Sequence, residues 1–134
     1  MTIIQLKDTG IVLGTAIKEA IGDKKGIRRY GSCILPIGWK FLYSGAIDLS
    51  GRPYFSWDAE FTSEKIGDMS TEMVKEFFYA ISYSCGMNLH IKVLTGGNSH
   101  HVAEAMFKSF AKALDMAVAY DPRITDVLST KGSL

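Results

Sequence analysis

Cysteine is scarce in this chain. Cys33 and Cys85 are the only two in 134 residues, and their spacing fits neither a metal knuckle nor a redox pair, which excludes a disulfide scaffold and points to two reduced, buried thiols. Charge of one sign is lacking too. Fifteen basic against fourteen acidic side chains leave a formal net charge of +1, too little field for a general binder of nucleic-acid backbone. No apolar run reaches the length of a membrane span. The first eight residues lack the basic-then-apolar layout of a secretion signal, so cytoplasm is the expected compartment, with neither membrane nor nucleic acid as partner. What is present is ordinary for a folded chain: 47% hydrophobic and 22% charged residues, enough for a single domain over 1–134.

Periodicity divides the chain into alternating elements. Residues 7–21 read as a helix with a wide apolar stripe (Val12, Ala16, Ala20 beside Leu13, Ile17, Ile21), Lys18 and Glu19 facing water, and a glycine-rich close at 22–26. Residues 27–35, 41–49 and 54–61 are strand candidates, the last two joined by the turn Ser50-Gly51-Arg52-Pro53. A polar loop is expected over 62–70. Helical period returns over 71–84 with Met73, Val74, Phe77, Phe78 and Ile81 on its core face, and Gly86 ends it. Residues 88–94 alternate as a strand that puts Leu89, Ile91 and Val93 on one face and His90 on the other. A last helix runs from His100 to about Ala119 and is stopped by Asp121-Pro122. The first and last helices share small-residue apolar stripes, a hint of internal duplication.

The chemistry gathers at Gly96-Gly97-Asn98-Ser99-His100-His101-Val102-Ala103-Glu104. Ser99 is placed to cap the helix. Glu104 lies four residues beyond His100 and three beyond His101, so one carboxylate and two imidazoles share a helix face. That donor set suits zinc, manganese or iron. A capping and surface role for the histidine pair explains the same residues.

These residues resemble the second metal motif of the imidazoleglycerol-phosphate dehydratase family. The resemblance extends through Lys24-Lys25-Gly26-Ile27-Arg28-Arg29-Tyr30-Gly31, Asp48-Leu49-Ser50-Gly51-Arg52-Pro53-Tyr54, Met87-Asn88-Leu89-His90-Ile91 and Ser129-Thr130-Lys131-Gly132. It implies an α/β chain of the α+β sandwich type, with helices packed against mixed β-sheet as part of a duplicated half-unit. It implies a metal-dependent lyase of histidine biosynthesis, which removes water from imidazole glycerol phosphate to give imidazole acetol phosphate. Manganese is the implied cofactor, a phosphorylated imidazole the small-molecule partner, and a large homo-oligomer the implied assembly. The matching metal ligands are His90, His100, His101 and Glu104, with Glu104 also the catalytic carboxylate. The matching phosphate contacts are Arg29, Arg52, Lys108, Ser129 and Lys131. Each has a plain reading beside it: a sheet histidine for His90, an i,i+4 partner of Glu104 for Lys108, a strand charge for Arg29, a turn arginine for Arg52, and a frayed tail for Ser129 and Lys131.

Two stretches depart from the family pattern. The family carries an earlier His-His-x-x-Glu-Asp, and at the corresponding positions this chain has Ile3, Ile4, Lys7 and Asp8; two aliphatics and a cation bind no divalent ion. Residues 36–45 lack the family's acidic pair and run one residue long. Both departures fit a local shift of reading frame, since Thr2-Ile3-Ile4-Gln5-Leu6 can be encoded by a string that reads His-His-Thr-Ile in another frame. The expected consequences are an incomplete metal site in one chain and an exposed apolar face on the first helix. The alternative function is therefore a catalytically inactive fragment, at most an oligomer-forming or phosphate-binding remnant.

Overall fold

The computed structural model describes residues 3–37 and 41–134. Nine elements follow in order: α1 (Ile3–Ile21), β1 (Tyr30–Ile37), β2 (Phe41–Asp48), β3 (Tyr54–Asp58), β4 (Lys65–Ile66), β5 (Met69–Ser70), α2 (Glu72–Cys85), β6 (Asn88–Thr95) and α3 (Ser99–Val118). Four strands form one mixed sheet in the order β1-β2-β6-β3, while β4 and β5 make a separate small hairpin. β1 with β2 and β2 with β6 are antiparallel, and β3 runs parallel to β6. The parallel pair needs a crossover, and α2 supplies it. The expected α+β architecture, helices on a mixed sheet, is what forms.

One face of the sheet is dry. Tyr43, Ile47, Leu89 and Ile91 pack there with Val74, Phe78 and Ile81 of α2 and with Val102, Met106 and Phe110 of α3. The expected core face of α2 is buried throughout, and Gly86 caps its end in the left-handed conformation at φ 76°. The helix α3 lies against β1 and β2. It comes so close at Gly31 that a Cβ there would overlap the Ala113 carbonyl. The opposite sheet face carries Ser32, Ile34, His90, Lys92, Tyr54 and Asp58, all of them exposed.

Several boundaries shift from expectation. The helix α1 begins at Ile3 rather than Lys7, because Leu6 is drawn into the core. Its inward row is Leu6, Gly10 and Gly14, buried, with Ile17 and Ile21 half-buried, rather than the whole apolar stripe. The two glycines let α1 touch the α2 backbone: a Cβ on Gly14 would lie 2.8 Å from the Ile81 carbonyl oxygen. Ile4, Val12 and Leu13 stay exposed, Val12 at 68%, which is the uncovered apolar face expected from the sequence. The strand β1 starts at Tyr30 rather than Ile27, because Arg29 sits in the left-handed region (φ 72°) and breaks the extended run; Ile27 pairs instead with Tyr120 in an isolated bridge. The strand β3 is shorter than expected, ending at Asp58. The loop expected over 62–70 contains the β4–β5 hairpin, which Gly67 turns at φ 59°. Of the divergent stretch 36–45, residues 38–40 lie outside the described residues, as do residues 1–2 of the other departure. On both sides of that gap the β1–β2 pairing stays in register, from Tyr30 opposite Asp48 to Ile37 opposite Phe41.

Candidate active site

The first cluster sits on the opening turns of α3. Asn98, extended at ψ 133°, is the cap: its Oδ1 accepts from the backbone N–H groups of His100 (2.9 Å) and His101 (3.4 Å). Ser99, expected in that role, is buried instead, where its hydroxyl meets the Thr62 hydroxyl and the Ser63 hydroxyl and N–H. Asparagine wins the cap because its amide oxygen reaches two donors, while the serine side chain has loop partners on the other side. From that start the α-helical pitch sets His100, Glu104 and Lys108 one above another. His100 Nε2 lies 3.6 Å from Glu104 Oε2, and Lys108 Nζ donates to Glu104 Oε1 at 2.6 Å. The hydrogen bond from Lys108 holds the Glu104 carboxyl below its usual range, with the two imidazoles adding to the effect. The His100 and His101 rings stand edge to face, 5.8 Å between centroids.

His90 is not part of that cluster. It stands exposed on the open sheet face, opposite Ala46 and Ser56, with the Tyr54 ring 5.7 Å away. Among the described residues, no three His, Cys, Asp or Glu side chains converge on a metal-sized point. Donor chemistry on α3 fits a borderline divalent ion. Two histidines and one carboxylate on one exposed turn, however, do not close a coordination sphere. Ile4, Lys7 and Asp8, where the family's earlier motif falls, lie exposed on α1.

The second cluster is a cleft of about 570 Å³ at the other end of the sheet. Arg29, Tyr30, Arg52 and the segment from Val127 to Lys131 line it. Arg29, Arg52, Ser129 and Lys131, four of the five expected phosphate contacts, are thus gathered from positions a hundred residues apart; Lys108 remains on α3 with Glu104. The tail forms a local turn: Ser129 Oγ accepts from the Lys131 N–H at 3.1 Å, and the Gly132 N–H donates to the Ser129 carbonyl. Arg29 is the least exposed of the group, with 10% of its side chain accessible. Its Nε and Nη2 donate to the two Asp48 carboxylate oxygens at 2.6 and 3.1 Å, and its Nη1 to the Leu128 carbonyl at 2.8 Å. This fork raises the Arg29 pKa further above its ordinary value. Arg29, Arg52 and Lys131 thus bring three cations to one cleft, the first of them paired with Asp48. Sequence reasoning missed Tyr30, Thr130 and Asp48. Asp48 is in a quoted motif, and its place opposite Tyr30 in the β1–β2 register is the signal that brings it to Arg29.

Comparison with known proteins gives a consistent result. The family model for imidazoleglycerol-phosphate dehydratase matches residues 4–114. The imidazoleglycerol-phosphate dehydratase of Lachnoclostridium phytofermentans is 64% identical over 129 residues, which is 96% of this chain and 65% of that protein. That of Acetivibrio thermocellus is 55% identical over 129 residues, 96% of this chain and 66% of that protein. The chain therefore spans just under two thirds of the length of these relatives. Among solved structures, the Staphylococcus aureus enzyme superposes with a TM-score of 0.83 at 41% identity, covering 87% of this chain and 68% of that one. The Pyrococcus furiosus enzyme, solved with (S)-C348, superposes with a TM-score of 0.86 at 33% identity, covering all of this chain and 72% of that one.

Proposed function

The chain belongs to the imidazoleglycerol-phosphate dehydratase family, and from that premise we propose that it carries the phosphate grip and one metal-ligand set of the reaction that family name describes. The reaction is loss of water from imidazole glycerol phosphate to give imidazole acetol phosphate, a lyase step of histidine biosynthesis. The observation that supports it most is the cleft in which Arg29, Arg52, Ser129 and Lys131 meet. The guanidinium groups of Arg29 and Arg52 offer paired N–H donors to phosphate oxygens, Lys131 a mobile positive charge, and Ser129 a hydroxyl.

His100, His101 and Glu104 would hold a divalent ion such as manganese, with His90 serving a second one from the sheet face. Bound there, the metal would act as a Lewis acid on the leaving hydroxyl and hold the imidazole ring as an electron sink. Lys108 donates to Glu104 and favours its ionised form, which suits the carboxylate to a ligand role and lowers its strength as a base. The remaining donors come from another copy of the chain. A homo-oligomer that sets the α3 turn of one copy against His90 of the next satisfies the separation seen within one chain.

Native mass spectrometry with and without added manganese, followed by turnover of imidazole glycerol phosphate, tests the reading. A manganese-loaded assembly that forms imidazole acetol phosphate is expected. A metal-free monomer without turnover overturns it. Ile3, Ile4 and Lys7 then account for the loss, and the chain is a phosphate-binding remnant.

A further inference from the structure

Arg29 does more than line the cleft. It is a non-glycine residue at φ 72°, a conformation that persists only where the surroundings over-determine it. They do so from three sides. Its N–H donates to the Ala117 carbonyl of α3, its carbonyl accepts from the Leu49 N–H at the end of β2, and its guanidinium is shared between Asp48 and Leu128. Beyond Asp126, hydrogen bonds from the tail to the rest of the chain, among the described residues, come down to the one from Arg29 Nη1 to Leu128. Those of Ser129, Lys131 and Gly132 stay within the tail.

We infer that Asp48 is a positioning residue: by gripping the Nε–Nη2 edge of the Arg29 guanidinium it aims the remaining nitrogen, Nη1, at the Leu128 carbonyl, and so holds Ser129 and Lys131 at the phosphate cleft. A guanidinium has five N–H donors. Asp48 and Leu128 occupy three, which leaves two on a side chain that lines the cleft. Asp48 is acidic and stands beside an anion site, where its charge alone repels phosphate. Its geometric role therefore outweighs its charge. The inference rests on the phosphate reading of the cleft.

That opposition of sign makes the test decisive. Inorganic phosphate is titrated into the 134-residue chain by isothermal calorimetry, with amide hydrogen exchange recorded over residues 127–132. Asp48→Asn preserves shape, removes the negative charge and leaves one of the two grips unmade. Positioning predicts phosphate affinity lower by about tenfold and faster exchange in the tail. A bare charge effect predicts tighter binding. Asp115→Asn, the same charge change on the exposed side of α3, is expected to leave affinity unchanged. Should Asp48→Asn not fold, Asp48→Glu keeps the charge but displaces the fork by one methylene, and a severalfold loss is expected. Equal or tighter binding in a folded variant overturns the positioning role. A wild-type chain that does not bind phosphate overturns the cleft's phosphate reading instead, so the two failures are distinct.

Discussion

Replacing Asn98 by alanine tests how the His100-His101 turn is built. The wild-type amide oxygen accepts one good hydrogen bond from His100 N–H at 2.9 Å and one long one from His101 N–H at 3.4 Å. Alanine keeps the extended backbone and removes both. Loss of an N-cap amide costs about 1 kcal/mol, within a range of roughly 0.5–2. With one strong and one weak bond at stake, the middle of that range is expected. At an unfolding entropy of about 2 cal/mol/K per residue, that moves the melting midpoint of a 134-residue chain down by about 3–4 °C. Asn98→Asp is expected to match or exceed wild type, because a carboxylate accepts the same bonds and complements the helix dipole. Thermal unfolding followed by circular dichroism reads the midpoints, and histidine ring proton spectra read whether the turn frays. An Ala variant melting within about 1 °C of wild type refutes the cap assignment and returns Ser99 to that role.

Two further outcomes follow from the packing and the electrostatics. Gly14→Ala gains about 1 kcal/mol of helix propensity, but its Cβ would sit 2.8 Å from the Ile81 carbonyl oxygen and from Ser84 Cβ. Overpacking costs of about 1–3 kcal/mol outweigh the gain, so urea unfolding should show a net loss; a stabilised variant means α1 does not seat on α2 as described. The Asp121 carboxyl, 8% exposed, is held well below the usual carboxylate range by the Arg123 side chain, with the Arg123 N–H adding to it. A lowered folded pKa means stabilisation that is full above the unfolded value near 3.8 and fades as pH falls through the folded one. Arg123→Gln should therefore move the acid-unfolding midpoint to higher pH, and an unchanged midpoint excludes a stabilising role for the pair.

The amino-acid sequence by itself determined the elements whose signal is local. The core face of α2 from Met73 to Ile81, its stop at Gly86, and the strand that puts His90 opposite Leu89 and Ile91 all follow from side-chain period and one left-handed glycine. It also determined the family, through motifs that need only be quoted in order. What it did not contain was which of several suitable residues an interaction would take. Ser99 and Asn98 both fit a cap, and only the loop at Thr62 and Ser63, packed against α3, claims the serine. The apolar stripe of α1 is wide, and the α2 backbone selects its glycine row while Val12 and Leu13 stay in water. Ile27 to Leu35 reads as one strand until Arg29, pinned by Ala117, Leu49, Asp48 and Leu128, turns left-handed and cuts it. The tertiary structure alone joined Arg29 and Arg52 to Ser129 and Lys131, and left His90 apart from His100. Such meetings depend on sheet register and on where α3 sits on Gly31, and contacts across a hundred residues leave no periodic trace in the chain.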